Sequence, residues 1–130
     1  MSVNTLLPVP NFIGGEWIVP ETSETAPVYN PSTGQKIAET PLCGADLVDE
    51  SVRNAHGAFA DWSETPPVER IRILFRYKLL LEDNFEAIAA LITREHGKNI
   101  AEARGDIRRG IEVVEYACSI PELLKGEILE

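Results

Sequence analysis

Lys36-Ile-Ala-Glu-Thr-Pro-Leu-Cys-Gly-Ala-Asp-Leu-Val-Asp-Glu-Ser-Val52 is the stretch in which the periodicity of the chain changes. Gln35 to Leu42 reads as a strand. From Ala45 the apolar residues Val48, Val52, Ala55, Phe59 and Trp62 recur at spacings of three or four, the period of an amphipathic helix. Asp46, Asp49 and Glu50 sit at the positive end of that helix's dipole. The fold class turns on this switch: everything before it is turn and hairpin, and everything after it is helix.

Upstream, Phe12-Ile13, Gly14-Gly15 and Glu16 to Val19 predict a tight hairpin, because paired glycines supply the positive φ angles that such a turn requires. Pro20 to Ala26 reads as a polar loop. A second hairpin follows, with Val28-Tyr29 and Gln35 to Leu42 joined by Asn30-Pro-Ser-Thr-Gly34, where Pro31 presets φ and Gly34 can turn left-handed. Seven of the nine prolines precede position 67.

Downstream, Thr65-Pro66-Pro67 stops one helix and starts the next, since proline is tolerated in a first turn and not deeper. Val68 to Leu81 is apolar around much of its circumference, which predicts burial on more than one side. Glu82-Asp83-Asn84 breaks it. Phe85, Ile88, Ala89 and Ile92 form the next stripe, closed by Gly97. Asn99-x-x-Glu102 has the form of a capping box and opens a long helix with Ile100, Ala103, Ile107, Ile111 and Val114 on one face. Gly105 and Gly110 inside it each cost about 1 kcal/mol relative to alanine, and so point to close approach of another backbone or a ligand. Ser119-x-x-Glu122, with Pro121, predicts a further short helix. The expected fold is an α+β segment: two short β-hairpins over 11–43, then a layer of four to five helices over 45–126.

The chain has 130 residues and a net charge of −9, with 44% hydrophobic and 25% charged residues. That length allows one modest domain able to bury about two thirds of its extended surface. The acidity argues against a nucleic-acid partner. Two basic and nine acidic side chains precede position 66, and ten and twelve follow it. No apolar run approaches a membrane span, and the first residues have neither a basic run nor an apolar core of targeting type. Two cysteines far apart fit no disulfide scaffold and, with only two histidines, no zinc site.

Gly105-Asp-Ile-Arg-Arg-Gly110 has the first spacing of a phosphate-binding loop but lacks the Lys-Ser/Thr that follows it, and it lies in a helix, where packing is the favoured reading. Cys43 and Cys118 read as buried, inert thiols rather than nucleophiles. His56 and His96 read as surface or capping residues. Arg104 and Arg108, one turn apart, are placed to pair with Glu112 or Glu115. Arg109 lies on another face with Asp106, Val113 and Tyr116. There a surface ion pair and an anion-binding guanidinium are both open, since a guanidinium grips carboxylates bidentately.

Phe12-Ile-Gly-Gly-Glu-Trp17, Asn30-Pro-Ser-Thr-Gly34, Ala55-x-x-Ala58-Phe59-x-x-Trp62, Arg70-x-x-Ile73-Leu74 and Glu95-x-Gly97-Lys98 together resemble the opening of an aldehyde dehydrogenase. Arg70-Ile-Arg-Ile-Leu-Phe75, Gly97-Lys-Asn99, Arg109-Gly-Ile-Glu-x-Val-Glu115 and Ile120-Pro121 are similar to the methylmalonate-semialdehyde branch. The resemblance covers about residues 11 to 130. It implies that the segment is the N-terminal part of the NAD-binding domain of an α/β enzyme roughly four times longer, with the catalytic domain absent and no cofactor bound to this part. In the complete enzyme the resemblance implies a thiolate that attacks the aldehyde, hydride transfer to NAD, and coenzyme A as acyl acceptor. Cys43 and Cys118 do not match the family's nucleophile. The arginine of the Arg-Gly-Ile-Glu stretch, associated in the family with the semialdehyde's carboxylate, falls on Arg109. Further expectations are the rest of the dehydrogenase chain as partner, a homo-oligomer at full length, and a cytoplasmic location. A helical interaction or oligomerisation module derived from such an enzyme is the alternative.

Overall fold

The computed structural model describes residues 8–127, which divide into two compact units, one up to Trp62 and one from Ser63. In the first unit, β1 (Asn11–Ile13) and β2 (Glu16–Ile18) pair antiparallel with Phe12 opposite Trp17. Gly14 and Gly15 take φ of 64° and 87°, the consecutive left-handed pair expected of this turn. The Phe12 and Trp17 rings meet across the strands at a centroid distance of 4.9 Å.

The second hairpin joins β3 (Thr25–Tyr29) to β4 (Lys36–Pro41). Its turn is closed by Gly34 N–H donating to the Asn30 carbonyl at 2.8 Å, while Asn30 Oδ1 accepts from Ser32 N–H at 2.9 Å and Gly34 sits at φ 69°. One expectation fails here: Thr25 and Ala26, read as loop, are strand residues facing Pro41 and Thr40. Their strand character comes from that distant partner, not from local pattern. Helix α1 (Ala45–Glu64) follows, as the change of period predicts. The Gly14 turn lies close to α1, for a Cβ there would come within 2.7 Å of Asn54 Nδ2.

The second unit is helical: α2 (Pro67–Asp83), α3 (Phe85–His96), α4 (Ile100–Ala117) and the short α5 (Ile120–Leu123). Pro67 occupies the first turn of α2. Asn84 separates α2 from α3, and Gly97 ends α3 at φ 80° with its N–H on the Thr93 carbonyl. Asn99 Oδ1 accepts from Glu102 N–H at 3.0 Å, starting α4 as the capping pattern predicts. Ser119 does not cap α5. Its hydroxyl donates back to the Tyr116 carbonyl at 2.6 Å, because Cys118 and Ser119 remain in helical backbone and never adopt the extended geometry of an N-cap.

Helix α4 packs on both α2 and α3, and α5 packs on α2. The core of this unit is Ala89 of α3 with Ala103, Ile107 and Ile111 of α4, flanked by Leu81, Phe85, Ile88 and Ile92. Ile71, Leu74 and Leu81 turn one side of α2 inward, while Val68, Ile73, Phe75, Leu79 and Leu80 are exposed. Among the described residues one side of α2 is covered, and burial on several sides is not realised there. Nor do Gly105 and Gly110 meet a neighbouring backbone among the described residues, where a Cβ at either position would have nothing within 4 Å.

Candidate functional site

Burial of Ala103, Ile107 and Ile111 fixes the rotation of α4, and that rotation decides what its three arginines reach. Arg104 crosses to α3, where Nε and Nη2 hold the Glu86 carboxylate as a fork at 2.8 to 3.1 Å. Arg108 lies over the Phe85 ring, 5.1 Å from its centroid. The expected pairings with Glu112 or Glu115 do not form. Glu115 is instead bonded with Lys78 of α2 at 3.1 Å, and Lys78 also holds Glu82 at 3.1 Å.

Arg109 stands two residues from both Ile107 and Ile111, hence on the side of α4 turned away from the core, with its side chain 72% exposed. Its Nη2 donates to Asp106 Oδ1 at 2.5 Å. The other Asp106 oxygen accepts from Lys98 Nζ at 2.5 Å. A carboxylate is thus held between two cations, and the cluster carries one net positive charge, with its most exposed member the guanidinium of Arg109. The hydrogen bonds from Lys98 and then Arg109 hold the Asp106 carboxyl below the usual carboxylate range. The Arg104 fork does the same to Glu86. Lys78 is raised by its bonds to Glu115 and then Glu82.

The three arginines therefore separate chemically. Arg104 gives its Nε/Nη2 edge and its whole charge to Glu86, and Arg108 lies over a ring. Arg109 uses a single N–H on Asp106, which leaves one two-pronged edge of the fork open to an oxyanion. Sequence periodicity finds the Arg109–Asp106 pair at a spacing of three, but no helical spacing links Lys98 to Asp106 or Glu86 to Arg104.

The remaining candidates fall elsewhere. Cys43 is exposed, not buried as expected: it lies in the connection between β4 and α1, where the strand has ended. Its sulfur accepts from Asn11 Nδ2 at 3.3 Å and donates to the Pro41 carbonyl at 3.7 Å, and neither partner is a base. Cys118 is half-buried at the end of α4. His56 and His96 are exposed. Gly105 to Gly110 lies wholly within α4, whose backbone amides are occupied by the helix. Among the described residues no group of three or more His, Cys, Asp or Glu could hold a metal ion, and no helix is long and apolar enough to cross a membrane.

The sequence model of the aldehyde dehydrogenase family matches residues 17–130. The malonate-semialdehyde dehydrogenase of Bacillus pumilus (strain SAFR-032) is 50% identical over 119 residues, which are 92% of this chain and 24% of that protein. Malonate-semialdehyde dehydrogenase 2 of Oceanobacillus iheyensis is 46% identical over 129 residues, 99% of this chain and 26% of the relative. Among solved structures, the methylmalonate-semialdehyde dehydrogenase from Oceanimonas doudoroffii superposes with a TM-score of 0.89 at 42% identity, covering 94% of this chain and 25% of that one. A protein of Sinorhizobium meliloti 1021, described as a methylmalonate-semialdehyde dehydrogenase and complexed with NAD, gives a TM-score of 0.89 at 33% identity over 98% of this chain and 26% of that one. The chain spans about a quarter of the length of the curated relatives it matches.

Proposed function

The chain belongs to the aldehyde dehydrogenase family, and we propose that it is the N-terminal portion of an NAD-dependent, CoA-acylating (methyl)malonate-semialdehyde dehydrogenase, inactive alone. The observation that carries this reading is the 50% identity over 119 residues to a malonate-semialdehyde dehydrogenase. The complete enzyme oxidises a semialdehyde to the acyl level and passes the acyl group to coenzyme A. The same reading makes it a cytoplasmic homo-oligomer.

The described residues do not themselves fit a dinucleotide. Their strands form two antiparallel hairpins, β4 leads into α1 through Leu42-Cys43-Gly44 with a single glycine and not a G-x-G-x-x-G turn, and the one glycine-spaced run is inside α4. NAD chemistry is therefore assigned to the rest of the enzyme. This segment contributes substrate recognition: Arg109 takes the substrate's distal carboxylate on its open edge. That role accords with an exposed guanidinium in a cluster of net positive charge.

Reduction of NAD, followed by absorbance with malonate semialdehyde or its methyl derivative, tests the assignment. The full-length enzyme is expected to turn over only when coenzyme A accompanies the semialdehyde, and the 130-residue chain is expected to show no turnover. A full-length enzyme inert toward both semialdehydes rejects the substrate class, and turnover indifferent to coenzyme A rejects acyl transfer. For Arg109→Ala the KM for these carboxylated aldehydes rises about tenfold or more, against little change for propanal, because a charge-assisted bidentate contact is lost for the former alone.

The apolar side of α2 also suits the alternative, a helical interaction module derived from the enzyme. Activity of the full-length protein separates the two.

A further inference from the structure

We propose that Asp106, anchored by Lys98, is a positioning residue that sets the direction of the Arg109 guanidinium toward its anionic ligand. The inference rests on the carboxylate-binding reading of Arg109.

Arg109 has the most exposed side chain of the three in its cluster, at 72%, against 30% for Asp106 and 32% for Lys98. A long, exposed arginine samples many rotamers, and ordering it on contact with a ligand weakens binding. A carboxylate three residues back removes part of that freedom in advance. Asp106 could also act in the opposite sense, as an internal competitor that occupies the guanidinium and cancels its charge. Two features decide against competition. The Asp106 charge is already balanced by Lys98, so Arg109 keeps its own positive charge. The contact to Arg109 uses one N–H from Nη2, so the donors of one bidentate edge remain whole. Arg104 provides the contrast within the same helix: Glu86 takes its Nε/Nη2 edge and balances its charge one to one, and its side chain is 47% exposed against 72% for Arg109.

Lys98 owes its place to the end of α3. Gly97 turns the backbone left-handed at φ 80°, Asn99 caps α4, and the residue between them reaches Asp106 on the second turn of α4. A helix boundary thus holds the carboxylate in place independently of Arg109.

The test is steady-state kinetics of the full-length dehydrogenase with malonate semialdehyde and with propanal, for Asp106→Asn, Asp106→Glu, Lys98→Met and the reference Arg109→Ala. Asp106→Asn is expected to raise KM for malonate semialdehyde by about three- to tenfold without a matching rise for propanal, the loss expected when a preorganised charged contact must be ordered on binding. Asp106→Glu should recover part of that loss. Lys98→Met, which leaves Asp106 intact but unanchored, should shift the ratio of the two KM values in the same direction, so the inference stays testable if Asp106→Asn folds poorly. Equal changes for both aldehydes with Asp106→Asn and Lys98→Met, or a lower KM for malonate semialdehyde, would overturn the positioning role. If Arg109→Ala is selective and these two variants are not, only the positioning inference fails. If Arg109→Ala affects both aldehydes alike, the carboxylate-binding reading fails and takes this one with it.

Discussion

Asn99 organises a helix start with one side chain. Its Oδ1 takes the Glu102 amide, which the first turn of α4 cannot pair internally. Asn99→Ala should therefore lower the stability of the helical unit by about 1 kcal/mol, read from the midpoint of urea unfolding. Ser119 begins the same pattern and fails, because α4 carries helical backbone through Cys118 into it. A cap is legible in sequence only when the preceding residues leave the helix. Ion pairs follow the same logic. Asp106 and Arg109 are neighbours on a helix face and could be read together; Glu86 and Arg104, eighteen residues apart, meet only after α3 and α4 have packed. The folded-state pKa values of Glu86 and Asp106 are lowered, so their contribution is present above the ordinary carboxylate range and lost as pH falls from there through the lowered folded values. Lys78 is raised, so its contribution holds below its ordinary pKa and is lost on going well above it. Stability of the helical unit should be flat between about pH 6 and 9 on account of these groups and decline below about pH 4. With Glu86→Gln the acid-side decline should be shallower in a denaturation series against pH.

At the scale of elements, turns and helix boundaries were legible because their causes are local. Gly14-Gly15 and Asn30 to Gly34 dictate their own φ angles, and Pro66-Pro67 admits a helix start but no interior. The strand at Thr25–Ala26 was not legible, since its pairing with Thr40 and Pro41 depends on a partner fourteen to sixteen residues away. Ala103, Ile107 and Ile111 of the apolar face that the period of α4 predicts are buried, Ile111 at 1% exposure, whereas Ile100 at its start is exposed. Ile111→Ala should cost about 3 kcal/mol in the same unfolding experiment. The glycines of α4 have a different outcome from the one their number implied. With open space around a Cβ at Gly110, Gly110→Ala should stabilise the described chain by up to about 1 kcal/mol through helix propensity alone. A destabilisation there would show a contact that the surroundings of Gly110 in this chain do not contain.

For the whole molecule, the decisive quantity is apolar surface left uncovered. Among the described residues the helical unit buries four hydrophobic side chains, yet Val68, Phe75, Leu79 and Leu80 of α2 remain 50 to 59% exposed. Sequence signalled this excess through an apolar run wider than one core could use, but it could not say which side would be covered; packing of α4 against α2 chose it. On the proposed reading the uncovered side lies against the remainder of a chain about four times as long. Exposed apolar surface of this kind drives self-association when its normal cover is missing. Sedimentation velocity of the isolated 130-residue chain over a range of concentrations tests this directly. Sedimentation that shifts with concentration toward dimers and larger species, suppressed by Leu79→Glu with Leu80→Lys, is the expected result; a single monomeric boundary at every concentration would contradict it.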